Sequence, residues 1–187
     1  QFIDLDSTFV KNGKFAFRGK QDSATMALLT VESKEKLPYM PALFILENGN
    51  LKVNVDTVSS VSGTKLNDVF QSYMESRFNM DKKMEQLSRE YVTDYLTGTL
   101  TDSILTKLKK QFSDEEANLK ILTQKYIQNN TDNISGIYLF LQNSYLFSPE
   151  EQATIIRDAK PFFKEDPMIR TFSDILEHTR NIAVGMP

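Results

Sequence analysis

Apolar and polar positions alternate singly through the first third of the chain, and from Leu66 onward they recur every three to four residues. The alternation is clearest from Leu43 to Val55 (LFILENGNLKVNV), where Leu51, Val53 and Val55 alternate with Lys52, Asn54 and Asp56. A period of two is that of a strand with one buried face. Asn48-Gly49 stands between two such runs and suits the positive φ angles of a two-residue turn, so the segment predicts a β-hairpin. Asn12-Gly13, between Thr8-Phe9-Val10 and Phe15-Ala16-Phe17, predicts a second hairpin with both phenylalanine rings on one face. Thr25 to Val31 is a third apolar run of strand length. Glu32 to Lys36 is charged, and Pro38 and Pro41 bracket a rigid connector. About five strands are expected before Asp56, all antiparallel because the links are too short for crossovers.

Val58 to Gly63 is small and polar, and it marks the change of period. Leu66, Phe70, Tyr73, Met80, Met84, Leu87 and Tyr91 then form a stripe interrupted by one charge, Arg77. Thr64 and Asn67 supply a capping start, and Gly98 an end, to a helix of about 30 residues. Arg77 and the tyrosines favour an antiparallel helix hairpin within the chain over a coiled coil. In residues 104–128, Ile104, Leu105, Leu108 and Phe112 share a face and Ile121, Leu122 and Tyr126 resume it. Ser113-Asp114-Glu115-Glu116 between them has the form of a capping box, so the stretch reads as one helix or as two. Asn129 to Asn133 is a loop, and Ser135 to Phe147 is apolar nearly all round, as in a buried helix. Ser148-Pro149-Glu150-Glu151 is a strong helix start, with Ile155, Ile156, Ala159, Phe162 and Phe163 as the buried face and Pro161 as a break. Asp166-Pro167 opens the last helix, whose face is Met168, Ile169, Phe172, Ile175, Leu176 and Thr179. The expected class is α+β: an antiparallel β-unit over residues 1–60, then a helical unit of about five helices over residues 61–182, packed on it.

Composition narrows the chemistry. The 187 residues carry a net charge of −3, with 40% hydrophobic and 25% charged residues, which is ordinary for a folded protein and offers no basic field for nucleic acid. No run approaches a transmembrane span. Gln1 is not an initiator residue, so an upstream segment such as a signal peptide is expected to have been removed. There is no cysteine, which excludes disulfides, thiolate metal ligands and a cysteine nucleophile. His178 is the one histidine, without a second at ligand spacing, and its place near a helix C-terminus suits a protonated ring on the helix dipole. Neither a metal nor a cofactor is expected.

The remaining candidates have structural explanations. Glu115 with Glu116, and Glu150 with Glu151, could form acid/base pairs, yet both sit where first helical turns are predicted and carboxylates cap. Asn129-Asn130-Thr131 and Asn133-Ile134-Ser135 fit the glycosylation pattern, a weak one that mainly signals a loop. Lys107, Lys109 and Lys110, with Lys120 and Lys125, read as the solvated face of a helix. No glycine belongs to a phosphate loop or a nucleophile elbow. Tyr73, Tyr91, Tyr95, Tyr126, Tyr138 and Tyr145 all fall in the helical half. They read as core residues with hydroxyls at the surface, or as the lining of a groove for a small ligand or a peptide.

Asp6-Ser-Thr-x-Val-x-Asn-Gly-Lys-Phe-x-Phe-x-Gly19, Phe44-Ile-Leu-Glu-Asn-Gly49 and Ser62-Gly-Thr-Lys-Leu-Asn-Asp68 together resemble an uncharacterised N-terminal domain of envelope proteins. In that family the domain precedes a thioredoxin-like domain of the alkyl-hydroperoxide-reductase and thiol-specific-antioxidant type, often in lipoproteins of Gram-negative anaerobes. Ile182 to Pro187 resembles the linker into that domain, so residues 183–187 are expected to begin it. The likeness covers nearly the whole chain, in motifs made of turns and caps. It implies a non-catalytic accessory domain on the periplasmic side of the envelope, lipid-anchored upstream, that positions or recruits a partner for a C-terminal thioredoxin-like domain. The Cys-x-x-Cys pair of that domain lies outside this chain, so no redox residue carries over. The family's domain usually opens with one or two further strands. Their absence is expected to leave an open sheet edge and self-association through the β-half.

Overall fold

The computed structural model describes residues 3–33 and 38–184, with side chains to Thr179. The charged run predicted over Glu32 to Lys36 lies mostly outside the described residues, as does the end of the predicted linker.

Among the described residues the architecture is mixed α+β, two small antiparallel two-stranded sheets followed by six helices. Strand β1 (Thr25–Leu29) pairs with β2 (Ala42–Leu46), with Met26 opposite Ile45, and β3 (Lys52–Asn54) pairs with β4 (Ser60–Ser62), with Val53 opposite Val61. Among the described residues there are four strands, where about five are predicted. The central hairpin is the main correction, because β2 and β3 flank Asn48-Gly49 without pairing. The Asn48 side chain accepts from the Gln21 N–H (3.0 Å) and donates to the Gln21 carbonyl (2.6 Å), extending the β1–β2 ladder instead of turning it. A side chain at Gly49 would place its Cβ 2.5 Å from Thr64 Cγ2, so glycine is needed there for close approach. The strand that does pair with β3 is Ser60-Val61-Ser62, within the small, polar stretch that marks the change of period.

At Asn12-Gly13 the turn forms as predicted, with positive φ at both residues (50° and 71°) and reciprocal backbone bonds between Lys11 and Lys14. The pairing stops at that single bridge. Phe9 is 88% exposed, and the Phe15 and Phe17 rings meet edge to face at 6.1 Å.

The helices follow their sequence signals closely. Helix α1 (Lys65–Thr97) is 33 residues long and is stopped by Gly98. Helix α2 (Asp102–Asn129) is one unbroken helix, so Ser113 to Glu116 lies in its interior and caps nothing. Its N-cap is Thr101, whose hydroxyl accepts from the Ile104 N–H. Helix α3 (Ile134–Asn143) is the most buried, and its N-cap Asn133 accepts from the Ser135 N–H. A short 3₁₀ turn (Ser144–Leu146) leads to α4 (Pro149–Asp158), where Ser148 and Glu151 form both bonds of the capping box. Pro161 separates α4 from α5 (Pro161–Glu165), and Pro167 opens α6 (Pro167–Val184).

One core joins both halves: Ile45 of β2 packs with Phe70 and Tyr73 of α1, Tyr126 and Ile127 of α2, and Phe140, Phe163 and Ile169 of the later helices. Asn67 fastens the sheet to α1. It is 1% exposed, its Oδ1 accepts from the Ile45 N–H (2.9 Å) and its Nδ2 donates to the Ile45 carbonyl (2.8 Å). A predicted capping residue is thus a side-chain substitute for a neighbouring strand. Thr64 holds the N-cap position without a capping bond. Ile121, Phe162, Met168 and Ile175, placed on buried faces by periodicity, are 50–64% exposed, although Thr123, Phe163, Ile169 and Leu176 close to them in sequence are buried, so the packed face of each helix is narrower than its apolar stripe.

Candidate functional site

Beyond Met74, α1 contributes nothing to that core, and neither does α2 before Leu122. The intervening halves run side by side with Leu87, Leu108 and Leu119 buried along them, forming a two-helix arm. Arg77 marks its base: its side chain is 25% exposed and donates to Asp81 (3.1 and 3.2 Å) and to the Asn143 Oδ1 of α3 (3.0 Å). Partial burial opposes its charge, but the bonds to Asp81 and Tyr73 outweigh this and raise its pKa. Halfway along, Lys83 of α1 is ion-paired with Glu115 of α2, a carboxylate only 8% exposed. Glu115 therefore serves to clamp the two helices, and Glu116 points to solvent, so the two do not form a pair. Among the described residues, the side-chain hydrogen bonds and ion pairs of residues 84–114 stay within the arm, the one reaching outside that range being Glu85 with Lys82 of the same helix.

At the arm's end, Tyr91, Val92, Tyr95 and Leu96 are 40%, 50%, 66% and 75% exposed. They cover adjoining positions of one helix surface, and the Tyr91 and Tyr95 rings stack with centroids 6.4 Å apart. A contiguous apolar surface of this kind on a projecting element is a candidate protein-binding site. Periodicity assigns Tyr91 to the buried stripe, but α2 offers it only partial cover. Val92 and Leu96 escape the sequence reading because they stand one residue after the stripe, although their apolar character there is the signal that the face is wider than one partner helix needs.

The six tyrosines do not share a surface. Tyr73 and Tyr126 are core residues, 4.8 Å apart, whose hydroxyls bond to Thr123 (3.1 Å) and Ser135 (2.8 Å). Burial pushes the Tyr126 pKa up to about 12. Tyr138 is half-buried, with its pKa raised by the same cause, and Tyr145 stands exposed on the 3₁₀ turn. An apolar recess lies elsewhere, between β2, the turn before β4 and α1, lined by Met40, Leu43, Val58, Val61, Met74 and Phe78. Its volume of about 260 Å³ falls below the ~300–1,000 Å³ typical of small-molecule pockets.

The other candidates are scattered. Glu150 and Glu151 occupy the first turn of α4, as expected. Hydrogen bonds from Lys120 (2.7 Å) and from the Ser148 backbone lower the Glu151 pKa. His178 is exposed on α6. Asn130, Thr131 and Asn133 are buried in the loop before α3, where Asn133 is fully engaged in capping, while Asn129 is exposed. Lys107, Lys109, Lys110 and Lys125 are solvated. Among the described residues no three His, Asp or Glu side chains converge on a possible metal position, and no helix is long and apolar enough to cross a membrane.

Residues 1–70 match a protein family described as a domain of unknown function, DUF4369. That stretch comprises the whole β-part and the first turns of α1, up to Phe70, and the arm lies beyond it. No curated protein and no solved structure matches the chain.

Proposed function

We propose that this chain is a non-catalytic accessory domain of an envelope thiol-disulfide oxidoreductase, held on the periplasmic side by a lipid anchor upstream, and that it docks or recruits a partner for a thioredoxin-like domain. The observation that carries the reading is the position of Tyr91, Val92, Tyr95 and Leu96. Four large apolar side chains are held in solvent at the tip of an arm that the core does not need. Keeping them there has a solubility cost, which a binding role explains and a purely structural one does not. With no cysteine in the chain, any thiol-disulfide exchange takes place on another domain, and this one contributes binding surface.

The test uses the purified chain and a separately purified thioredoxin-like domain of the alkyl-hydroperoxide-reductase type. The chain alone is expected to reduce neither insulin nor a hydroperoxide with any thiol donor. It is expected to bind the thioredoxin-like domain saturably, and Tyr95→Ser with Leu96→Ser is expected to weaken binding at least about tenfold without lowering the melting temperature. Turnover above a protein-free blank, no binding, or binding indifferent to the tip substitutions overturns the proposal.

A further inference from the structure

The edges of the β1–β2 sheet are treated very differently. On the β2 side the Ile45 N–H and C=O point away from β1 and are taken by Asn67. Met26 stands opposite Ile45 and Leu28 opposite Leu43. In an antiparallel ladder inward and outward bonding alternates, so the outward groups of Ile45 imply outward groups at Met26 and Leu28 as well. Among the described residues nothing bonds to those groups. The β1 edge is therefore unpaired among the described residues, with α3 packed against the strand, and its sequence, Thr-Met-Ala-Leu-Leu, carries none of the lysines or prolines that usually blunt an edge. Leu28 on that strand is 42% exposed.

What an open edge binds is an extended backbone, and the chain carries a suitable one that its own fold leaves unused. Every hydrogen bond and ring contact of residues 3–20 falls within that segment. Ile3, Leu5, Phe9, Val10 and Phe17 are 42–88% exposed. The Asn12-Gly13 turn already sets its two limbs antiparallel. Lys14 and Arg18 bound the Phe15-Ala16-Phe17 limb with positive charge, while Asp22 and Glu32 stand three residues before and after β1, so the two segments are flanked by charges of opposite sign. We infer that two copies of this chain exchange N-terminal hairpins, the Lys14–Arg18 limb of each adding as a third strand to the β1 edge of the other. Exchange in both directions is a closed two-fold contact. It would cover on the order of 500 Å² of apolar side chain per copy, or roughly 1,000 Å² in the pair, near the lower limit of specific interfaces before backbone area is added. This inference is independent of the accessory-domain reading, since it uses neither the arm nor a redox partner.

The absence of cysteine allows a direct test. In a variant with both Ala16→Cys and Leu28→Cys, mild oxidation is expected to give a disulfide-linked dimer on a non-reducing gel, and light scattering of the unmodified chain is expected to report twice the 21.5 kDa monomer mass. Leu28→Lys puts a charge on the edge, and Phe17→Lys on the added strand. Each is expected to return the mass to that of a monomer, with an unchanged circular dichroism spectrum and melt. A monomer at every concentration, a disulfide formed only within one chain, or dimers that survive both lysine substitutions would overturn the inference.

Discussion

Replacing Asn67 by alanine tests the join between the sheet and the helices. Asn67 is 1% exposed and Ile45 is fully buried, so water cannot take over the two Ile45 backbone bonds. Each buried polar group left without a partner costs about 1–3 kcal/mol. The void left by the amide adds to this, and the freed Thr64 hydroxyl, bonded to Asn67 at 2.9 Å, recovers little. The expected loss is about 3–5 kcal/mol, a large share of the ~5–15 kcal/mol that holds a typical domain together. Urea unfolding with an unchanged m-value gives the magnitude, and amide hydrogen exchange gives the location, because the Ile45 N–H should lose protection before the core helices do. Asn67→Asp is the control. It keeps the acceptor for the Ile45 N–H but sets a carboxylate against the Ile45 carbonyl and near Glu47, which Asn67 now contacts at 3.4 Å, so it should not rescue. A loss under about 0.5 kcal/mol in Asn67→Ala, or an Ile45 amide that stays protected, would refute the idea that this side chain substitutes for a strand.

Two further outcomes concern the helices. Leu87→Ala, at a site 5% exposed between α1 and α2, should cost about 2–5 kcal/mol on denaturant unfolding, towards the lower end if the arm closes over the gap; a neutral result would mean that the arm is not packed on this face. Tyr126, with a pKa of about 12 in the fold against ~10 in the unfolded chain, stabilises the fold fully below pH ~10. That contribution is lost as the pH rises from about 10 to about 12, because the unfolded chain ionises first, and it amounts to roughly 2–3 kcal/mol. Tyr126→Phe should flatten this alkaline decline, and a decline of the same size in the variant would assign it to other groups.

The helical part was legible in the sequence because its signals are local. Gly98, Ser148-Pro149, Pro161 and Pro167 end or start helices through backbone constraints that hold whatever surrounds them. Strand pairing is not local, and there the reading failed. Asn48-Gly49 carries the composition of a turn, but its asparagine is used to hold Gln21 and its glycine to let Thr64 come close. Ser113 to Glu116 failed for a related reason: a capping box needs the chain to turn before it, and here the stripe continues from Leu108 through Glu115 to Leu119 with a buried carboxylate among its members. Periodicity treats a glutamate as surface because its partner, Lys83, is 32 residues away. The tyrosines shared a helical half without sharing a face, which spacing within single helices does not reveal. The arm tip was missed because an apolar side chain looks the same in sequence whether or not anything covers it.

With no proline or glycine between Lys65 and Thr97, α1 is a stiff rod roughly 50 Å long. Its clasp to Asn143 through Arg77 acts as a fulcrum. From there Asn67 is ten residues away on one side and Leu96 nineteen on the other, roughly 15 and 30 Å. As a lever, the rod moves its short end about half as far as its long end, in the opposite sense. A partner bound at Tyr95 and Leu96, as proposed above, would therefore gain mechanical leverage over the amide that closes the β2 edge.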